Sequence, residues 1–163
     1  MIEYNLREVQ DDDMSFLREM LYEAVFWREC KTKPSFEEGL AYPDVGKAVT
    51  GLGQREGDIA VVAISSSARV GAAWLRYWTD DNNIRGYYEE STPVLVIGVH
   101  SNYRHRGIGK KMIEWLIDYA SKNEIEKISL CVSKDNYALN LYKQSGFEEY
   151  KDTGDSLIMV YKL

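Results

Sequence analysis

The segment Tyr103-Arg104-His105-Arg106-Gly107-Ile108-Gly109-Lys110-Lys111 gathers groups that attract an anion. Arg104, Arg106, Lys110 and Lys111 place four positive charges within residues 100–111, with no acid among them, in a chain whose formal charge is −6. If a helix begins at Gly107 or Ile108, its first backbone N–H groups are unpaired and carry the positive end of the helix dipole. Glycines at that point let an anion approach the main chain, so the backbone of about His105 to Lys110 reads as a phosphate cradle. The plainer reading is a glycine-started helix with a solvated basic face. Two familiar phosphate designs do not fit. A dinucleotide fingerprint needs a third glycine where Met112 stands, and a nucleoside-triphosphate loop needs glycine at Arg104 and Ser or Thr at Lys111.

The elements flanking this segment are written in apolar spacing. Residues 93–99, read VLVIGV after the proline, run apolar without alternation, which predicts a strand buried on both faces in mid-sheet. Gly98 interrupts the run and predicts a bulge or a close approach by a ligand or another backbone. Beyond the segment, Ile108, Met112, Trp115, Leu116 and Tyr119 share one helical face. Ile128, Leu130 and Val132 alternate as the next strand. Residues 136–145 follow as a helix closed by Gly146, and residues 147–151 and 157–161 predict a final hairpin turning at Thr153-Gly154-Asp155.

Upstream, residues 2–9 predict a strand, and Asp11, Asp12 and Asp13 offer capping oxygens to a helix. Leu17, Met20, Leu21, Ala24 and Val25 carry that helix to about residue 30, with Pro34 as its limit. Ser35 and Glu38 form a capping-box pattern for a short helix reaching about Tyr42. Residues 43–57 are punctuated by glycine and give no definite assignment. Residues 59–64 and 70–78 predict an antiparallel hairpin, and residues 79–92 a polar loop.

Length and composition narrow the class. At 163 residues, 45% hydrophobic and 28% charged, the chain fits one globular domain, and the expectation is a single mixed α/β domain over residues 1–163. The net acidity disfavours general nucleic-acid binding. Cys30 and Cys131 form no CxxC pair, so neither a disulfide framework nor a zinc site is expected; His100 and His105 bring no further metal ligands, and no metal is expected. Glu3, Arg7 and Glu8 break any signal-peptide core, and no apolar run nears the ~20 residues that span a bilayer, so a soluble protein of the reducing cytoplasm is expected, without a membrane partner.

The residues Arg104-His105-Arg106-Gly107-Ile108-Gly109 resemble the Arg/Gln-x-x-Gly-x-Gly/Ala segment of the GCN5-related N-acetyltransferase (GNAT) family. A second stretch, Asn136-Tyr137-Ala138-Leu139-Asn140-Leu141-Tyr142-Lys143-Gln144-Ser145-Gly146-Phe147, resembles the family's Asn-x-Ala-x-x-Leu-Tyr-x-x-x-Gly-Phe ending, in the right order. The resemblance covers residues 93–147 well. It implies a GNAT-like fold, in which a mostly antiparallel mixed sheet of six to seven strands opens between its fourth and fifth strands and is flanked by helices.

It also implies acetyl-CoA, or another acyl-CoA, as donor, with its pyrophosphate on the backbone of His105, Arg106, Gly107, Ile108, Gly109 and Lys110 beside Arg104. The pantetheine arm would pair with Ile97, Gly98 and Val99, where a bulge at Gly98 would cause the opening. The N–H of Val99 would polarise the thioester carbonyl and stabilise the tetrahedral oxyanion. Tyr142 stands where the family's tyrosine is proposed to protonate the leaving thiolate, packing being the plainer role for a helical tyrosine. Asn136 would bond the pantetheine arm or simply cap its helix.

An amine acceptor must lose a proton before attack, and many family members carry an acid on the fourth strand. Here Leu95, Val96, Ile97 and Gly98 supply none. Glu90, on the preceding loop, is the named candidate base acting through water, against a solvated loop charge or proton loss to water chains. Tyr22, Phe26 and Trp27 beside Glu23, Glu29, Glu37 and Glu38 suggest an acceptor wall for a cationic amine, or a core stripe. Cys131, in an apolar run, reads as packing rather than a nucleophile. The expected reaction is direct acetyl transfer to a primary amine, with a homodimer compatible with the resemblance. Its rivals are a noncatalytic acyl-CoA sensor or regulatory partner, motivated by the missing strand acid, and a nucleic-acid binder using the basic island.

Overall fold

The structure is a computed structural model that describes residues 3–28 and 32–163. Seven strands, β1 (Asn5–Glu8), β2 (Ile59–Ser65), β3 (Ala68–Arg76), β4 (Val94–Val99), β5 (Lys127–Ser133), β6 (Glu148–Asp152) and β7 (Ser156–Lys162), form one sheet in the order β1-β2-β3-β4-β5-β7-β6. Every pairing is antiparallel except β4 with β5. Helices α1 (Met14–Val25), α2 (Phe36–Ala41) and α3 (Pro43–Gly46) cover one face, and α4 (Ile108–Lys122) and α5 (Ala138–Ser145) the other. The mixed fold and strand count expected from sequence are therefore observed.

Apolar spacing explains both layers. Leu17, Met20 and Leu21 of α1 are buried with Val62, Ala72 and Trp74 of the sheet, while Ile108, Met112, Ile113, Leu116 and Ala120 of α4 are buried on the opposite face. These steps of three and four residues make one stripe on each helix. Ser35 caps α2 by accepting from the Glu38 N–H at 3.2 Å, as the capping-box pattern predicts. Gly146 closes α5 at φ 107°.

Several boundaries differ from expectation. Strand β1 is limited to Asn5–Glu8, and α1 ends at Val25 rather than near residue 30; Cys30 lies outside the described residues. Tertiary packing ends the helix early. The Phe26 ring stands 5.0 Å from the Tyr22 ring and 6.2 Å from that of Tyr42. It also fills the space above Gly39 of α2, where a side chain would come within 2.6 Å of it.

Residues 43–57 are organised by a distant residue. Arg76, on β3 and 1% exposed, donates to the carbonyl oxygens of Lys47 at 3.2 Å and Thr50 at 2.7 Å, and to Asp58 at 3.2 Å. Asp58 in turn accepts from the N–H groups of Gly53 and Arg55. A buried guanidinium is tolerated because carbonyls and a carboxylate take its donors.

The consequential irregularity lies between β4 and β5. Their register holds a single pair, Val94 with Ser129, after which the strands part. No bulge at Gly98 causes this, contrary to expectation, for β4 keeps unbroken register with β3 from Arg76–Val94 to Gly71–Val99. Gly98 instead admits the backbone of α1, since a side chain there would strike the Met20 carbonyl oxygen. The other part of that expectation, a close backbone approach, is what the structure has.

Candidate active site

The parted strands open a cleft of about 740 Å³, bounded by α1 and α3 on one face and α4 and α5 on the other. Its floor is the free edge of β4. The His100 N–H donates to the Val70 carbonyl at 2.8 Å, so Val99 and Gly71 form a non-hydrogen-bonded pair. The N–H and C=O groups of Val99 and Ile97 consequently point away from β3 and into the opening, while those of Gly98 belong to the β3 ladder. The strand is thus buried at Val94, Leu95 and Gly98, and half-buried at Val96, Ile97 and Val99 where it borders the cleft.

The cleft leads to the start of α4. Gly107 is the N-cap residue at φ 83°, with no side-chain cap and no acid in the first turn. A side chain added to Gly107 would meet nothing within 4 Å, so the main chain there is approachable from outside. Gly109 has a different cause: its missing side chain leaves room for Leu141 of α5. His105, also left-handed at φ 62°, sets its ring 4.7 Å from that of Tyr137.

The four cations of this segment separate in space. Lys110 lines the cleft. Lys111 pairs with Glu114 at 3.2 Å, and Arg106 lies outside the cleft lining with its guanidinium 5.8 Å from the Tyr103 ring. Arg104 turns inward. Its Nε donates to the Val99 carbonyl at 3.1 Å and its Nη2 to Glu23 at 2.9 Å, with the side chain 12% exposed. Arg104 thus takes the outward carbonyl of the last β4 residue and leaves the neighbouring Val99 N–H facing the cleft.

Tyr142 lines the cleft from α5 and is 7% exposed, its ring packed on Phe147 at 5.9 Å. No side chain or carbonyl among the described residues accepts from its hydroxyl, and in a residue that lines the cleft the hydroxyl is not fully sealed from solvent. Burial, with Tyr137 nearby, pushes its pKa well above the ordinary phenol value. The hydroxyl therefore stays protonated, able to donate a hydrogen bond and reluctant to surrender the proton.

Asn136 lines the cleft, but its Oδ1 accepts from the Ala138 N–H at 2.9 Å, so it caps α5, which begins two residues later than expected. Glu90 is elsewhere. It is exposed, accepts from the Asp80 N–H at 3.3 Å within its own loop, and does not line the cleft. The acids expected beside the aromatic residues are also dispersed: Glu37 and Glu38 do not line the cleft, Glu29 lies outside the described residues, and Glu23 is held by Arg104. Phe26 and Trp27 do line it, whereas Tyr22 donates to the Pro34 carbonyl. Burial pushes the Cys131 thiol up, Arg85 opposing, which keeps it a poor nucleophile.

Three cleft features escaped the sequence. Trp27 meets Tyr137 edge-on at 6.4 Å, and Arg28 pairs with Asp135 at 2.8 Å, tying the end of α1 to the approach of α5 across the opening. Ile84 and Arg85 wall the far end. Only Gly86 beside them, a glycine within a polar loop, hinted at a close approach. Among the described residues no group of three or more His, Cys, Asp or Glu gathers as metal ligands, and no helix is long and apolar enough to cross a membrane.

A sheet split beside its one parallel pairing, with a glycine-started helix at the mouth of the split, defines a class of acyl-transfer fold. Residues 14–147 match the Acetyltransferase (GNAT) family, and the chain belongs to that family. Over 94 residues it is 33% identical to the probable N-acetyltransferase san of Drosophila melanogaster, a match covering 56% of this chain and about half, 48%, of that relative. Among solved structures it resembles the PaiA N-acetyltransferase of Thermoplasma acidophilum in complex with coenzyme A, with TM-score 0.73, 18% identity and coverage of 99% and 100% of the two chains. It likewise resembles YncA, a putative acetyltransferase of Salmonella typhimurium with its cofactor acetyl-CoA, with TM-score 0.68, 19% identity and coverage of 98% and 94%.

Proposed function

We propose that this chain transfers an acetyl group from acetyl-CoA to a primary amine by direct attack, without a covalent enzyme intermediate. The observation that carries the reading is the split between β4 and β5, into which the Val99 N–H points and which opens onto the approachable start of α4. The backbone from His105 to Lys110 would receive the pyrophosphate, with Lys110 as the cation that borders the cleft. The exposed edge at Ile97 and Val99 offers the pantetheine amides strand-like pairing. The Arg106 side chain lies outside the cleft lining, and Gly98 gives its N–H and C=O to the β3 ladder.

In the reaction the amine lone pair attacks the thioester carbon, the C–S bond breaks, and the sulfur leaves as thiolate. The Val99 N–H would hold the carbonyl oxygen as it gains charge. Arg104, through the Val99 carbonyl, holds the next peptide, Val99–His100, and so the end of β4, with its other donor taken by Glu23. Tyr142 would donate a hydrogen bond to the departing sulfur. Its raised pKa favours sharing over full transfer, because a phenolate at that site would be desolvated. The amine's own proton passes to water, since Glu90 stands outside the cleft, Glu23 is engaged, and Asp44 at the cleft border is 87% exposed beside Lys47.

Calorimetry with coenzyme A, followed by release of its thiol with a panel of amines, tests the reading. Binding and turnover are expected; no binding heat overturns it, and binding without turnover by any amine overturns the enzymatic part in favour of an acyl-CoA sensor. Tyr142→Phe should lower kcat by about 10- to 100-fold at unchanged coenzyme A affinity. The phenol stays protonated through neutral and mildly alkaline pH, so the basic limb of the pH–rate profile should be the same in the variant. A basic limb that disappears with the hydroxyl would remove the hydrogen-bond role.

A further inference from the structure

The loop between β3 and β4 lies on the sheet instead of standing away from it. Gly86 is buried at φ 97°, and a side chain there would come within 2.9 Å of the Cys131 nitrogen and the Leu130 carbonyl carbon and 3.1 Å of Val94. Its backbone therefore rests on β5 where β4 departs, closing the end of the cleft opposite the α4 start. The left-handed conformation, which glycine adopts at little cost, fixes the next residue back, Arg85, on the cleft wall.

Arg85 is the unclaimed cation of that end. Among the described residues no hydrogen bond or ion pair holds its guanidinium, although its charge is felt at the cleft-lining Cys131 thiol. Three of the four acids of its own loop are engaged elsewhere: Asp80 accepts from the Tyr87 hydroxyl at 2.5 Å, Glu89 from Lys127 at 2.9 Å, and Glu90 from the Asp80 N–H, while the fourth, Asp81, is exposed and outside the cleft lining. Asp155, a weaker influence on Cys131, lies in the β6–β7 turn outside the cleft lining. Asp44 borders the cleft from α3, 87% exposed and 3.9 Å from Lys47. The cleft thus has a cation at each end, Lys110 where α4 begins and Arg85 where the split closes, while Arg104 between them is neutralised by Glu23.

We propose that the acceptor amine carries a carboxylate and that Arg85 binds it at the closed end of the cleft. The inference rests on coenzyme A taking the α4 end, which leaves the opposite end to the second substrate. A planar guanidinium meets a carboxylate through two parallel N–H bonds, giving orientation as well as attraction, and this holds the amine at a fixed reach from the anchored carboxylate. A purely cationic polyamine would instead meet like charge there.

Acetyl transfer to matched acceptors tests this. Free α-amino acids are compared with their C-terminal amides, and short peptides carrying Asp or Glu with the same peptides carrying Asn or Gln. The two pairs separate an α-carboxylate from a side-chain carboxylate. Wild-type protein should prefer the carboxylate member of at least one pair by about tenfold in kcat/KM. Arg85→Ala should bring that ratio towards one, mostly through KM, and Arg85→Lys should restore part of it. Coenzyme A titration of the same variants reports separately on the α4 end. Equal use of both members, preference for the neutral one, an unaltered ratio in Arg85→Ala, or no turnover of either set overturns the assignment. With coenzyme A still bound, those outcomes leave the donor-site reading standing; loss of coenzyme A binding in wild type overturns both.

Discussion

The two long helices on opposite faces of the sheet begin in opposite ways. The 3-10 turn leading into α1 carries Asp11, Asp12 and Asp13, and Asp13 is fully buried, accepting from the Gln10 N–H, Arg7 and Arg69 at 2.7 Å each. The start of α4 has no acid in its first turn and only Gly107 as its cap, with Lys110 and Lys111 just beyond. The α1 start supplies its own anion and is sealed by arginines from β1 and β3. The α4 start has no such anion of its own, and its main chain at Gly107 is open to approach from outside. Both are helix N-termini, yet only the second lies at the mouth of a cleft.

The two glycines nearest α4 repeat the contrast. Gly98 is required because the backbone of α1 fills the space above it, whereas Gly107 is required by its left-handed φ and has open space above it. Glycine in a motif therefore has two different physical meanings here, a close backbone packing at Gly98 and an open, left-handed turn at Gly107.

Substitution should separate the two regions sharply. Gly98→Val forces a side chain into the Met20 carbonyl, where neither α1 nor β4 can yield cheaply, and should destabilise the fold by about 3 kcal/mol, read from denaturant unfolding. Unchanged stability would mean that α1 does not hold its backbone against β4.

Asp13→Asn should cost somewhat less, about 2 kcal/mol at neutral pH, since it leaves Arg7 and Arg69 without their buried carboxylate; both arginines are about one-third exposed, which moderates the loss. Hydrogen bonding from Arg7 foremost holds the Asp13 pKa far below the usual carboxylate range, against the effect of burial. A depressed folded-state pKa contributes stability above the unfolded value of about 4, and that stability is lost as pH falls towards the folded value. The difference between wild type and variant should therefore shrink as pH drops below about 4. A gap that stays constant down to the lowest accessible pH would contradict the ion-pair account.

At the α4 start the effect should fall on the ligand instead. Gly107→Ala should weaken coenzyme A binding by about tenfold, while costing the fold only the ~1 kcal/mol of a left-handed alanine. Gly107→Asn, which tolerates that conformation better, should recover most of the stability and still bind less tightly. A β-branched residue would be a poorer probe, because its strain at φ 83° would confound the two effects. Equal affinity in all three proteins would show that the space above Gly107 is not used.

Much of this was legible because it is local. The capping pattern of Ser35 and Glu38, the apolar stripe of α4, the Gly146 stop and the order of strands depend on residues within a turn or two of one another. The glycines and basic residues after β4 likewise marked the helix start directly. Arg104 shows the limit, since its spacing grouped it with Arg106, Lys110 and Lys111, but Glu23 of α1, distant in sequence, and the Val99 carbonyl of β4 drew it inward. Glu90 shows the same limit from the other side, being near the cleft in sequence but turned towards the Asp80 N–H.

The amino-acid sequence by itself determined which segments become helix and strand, which helix start lacks an acid, and where a tyrosine falls on α5. Only the tertiary structure decided that β4 and β5 separate after one pair, that Gly98 answers to Met20, that Arg76 organises residues 43–57, and that Gly86 brings Arg85 to the cleft wall. Local preferences are fixed by neighbours along the chain, whereas each of these features depends on groups distant in sequence that meet only when both faces of the sheet are packed.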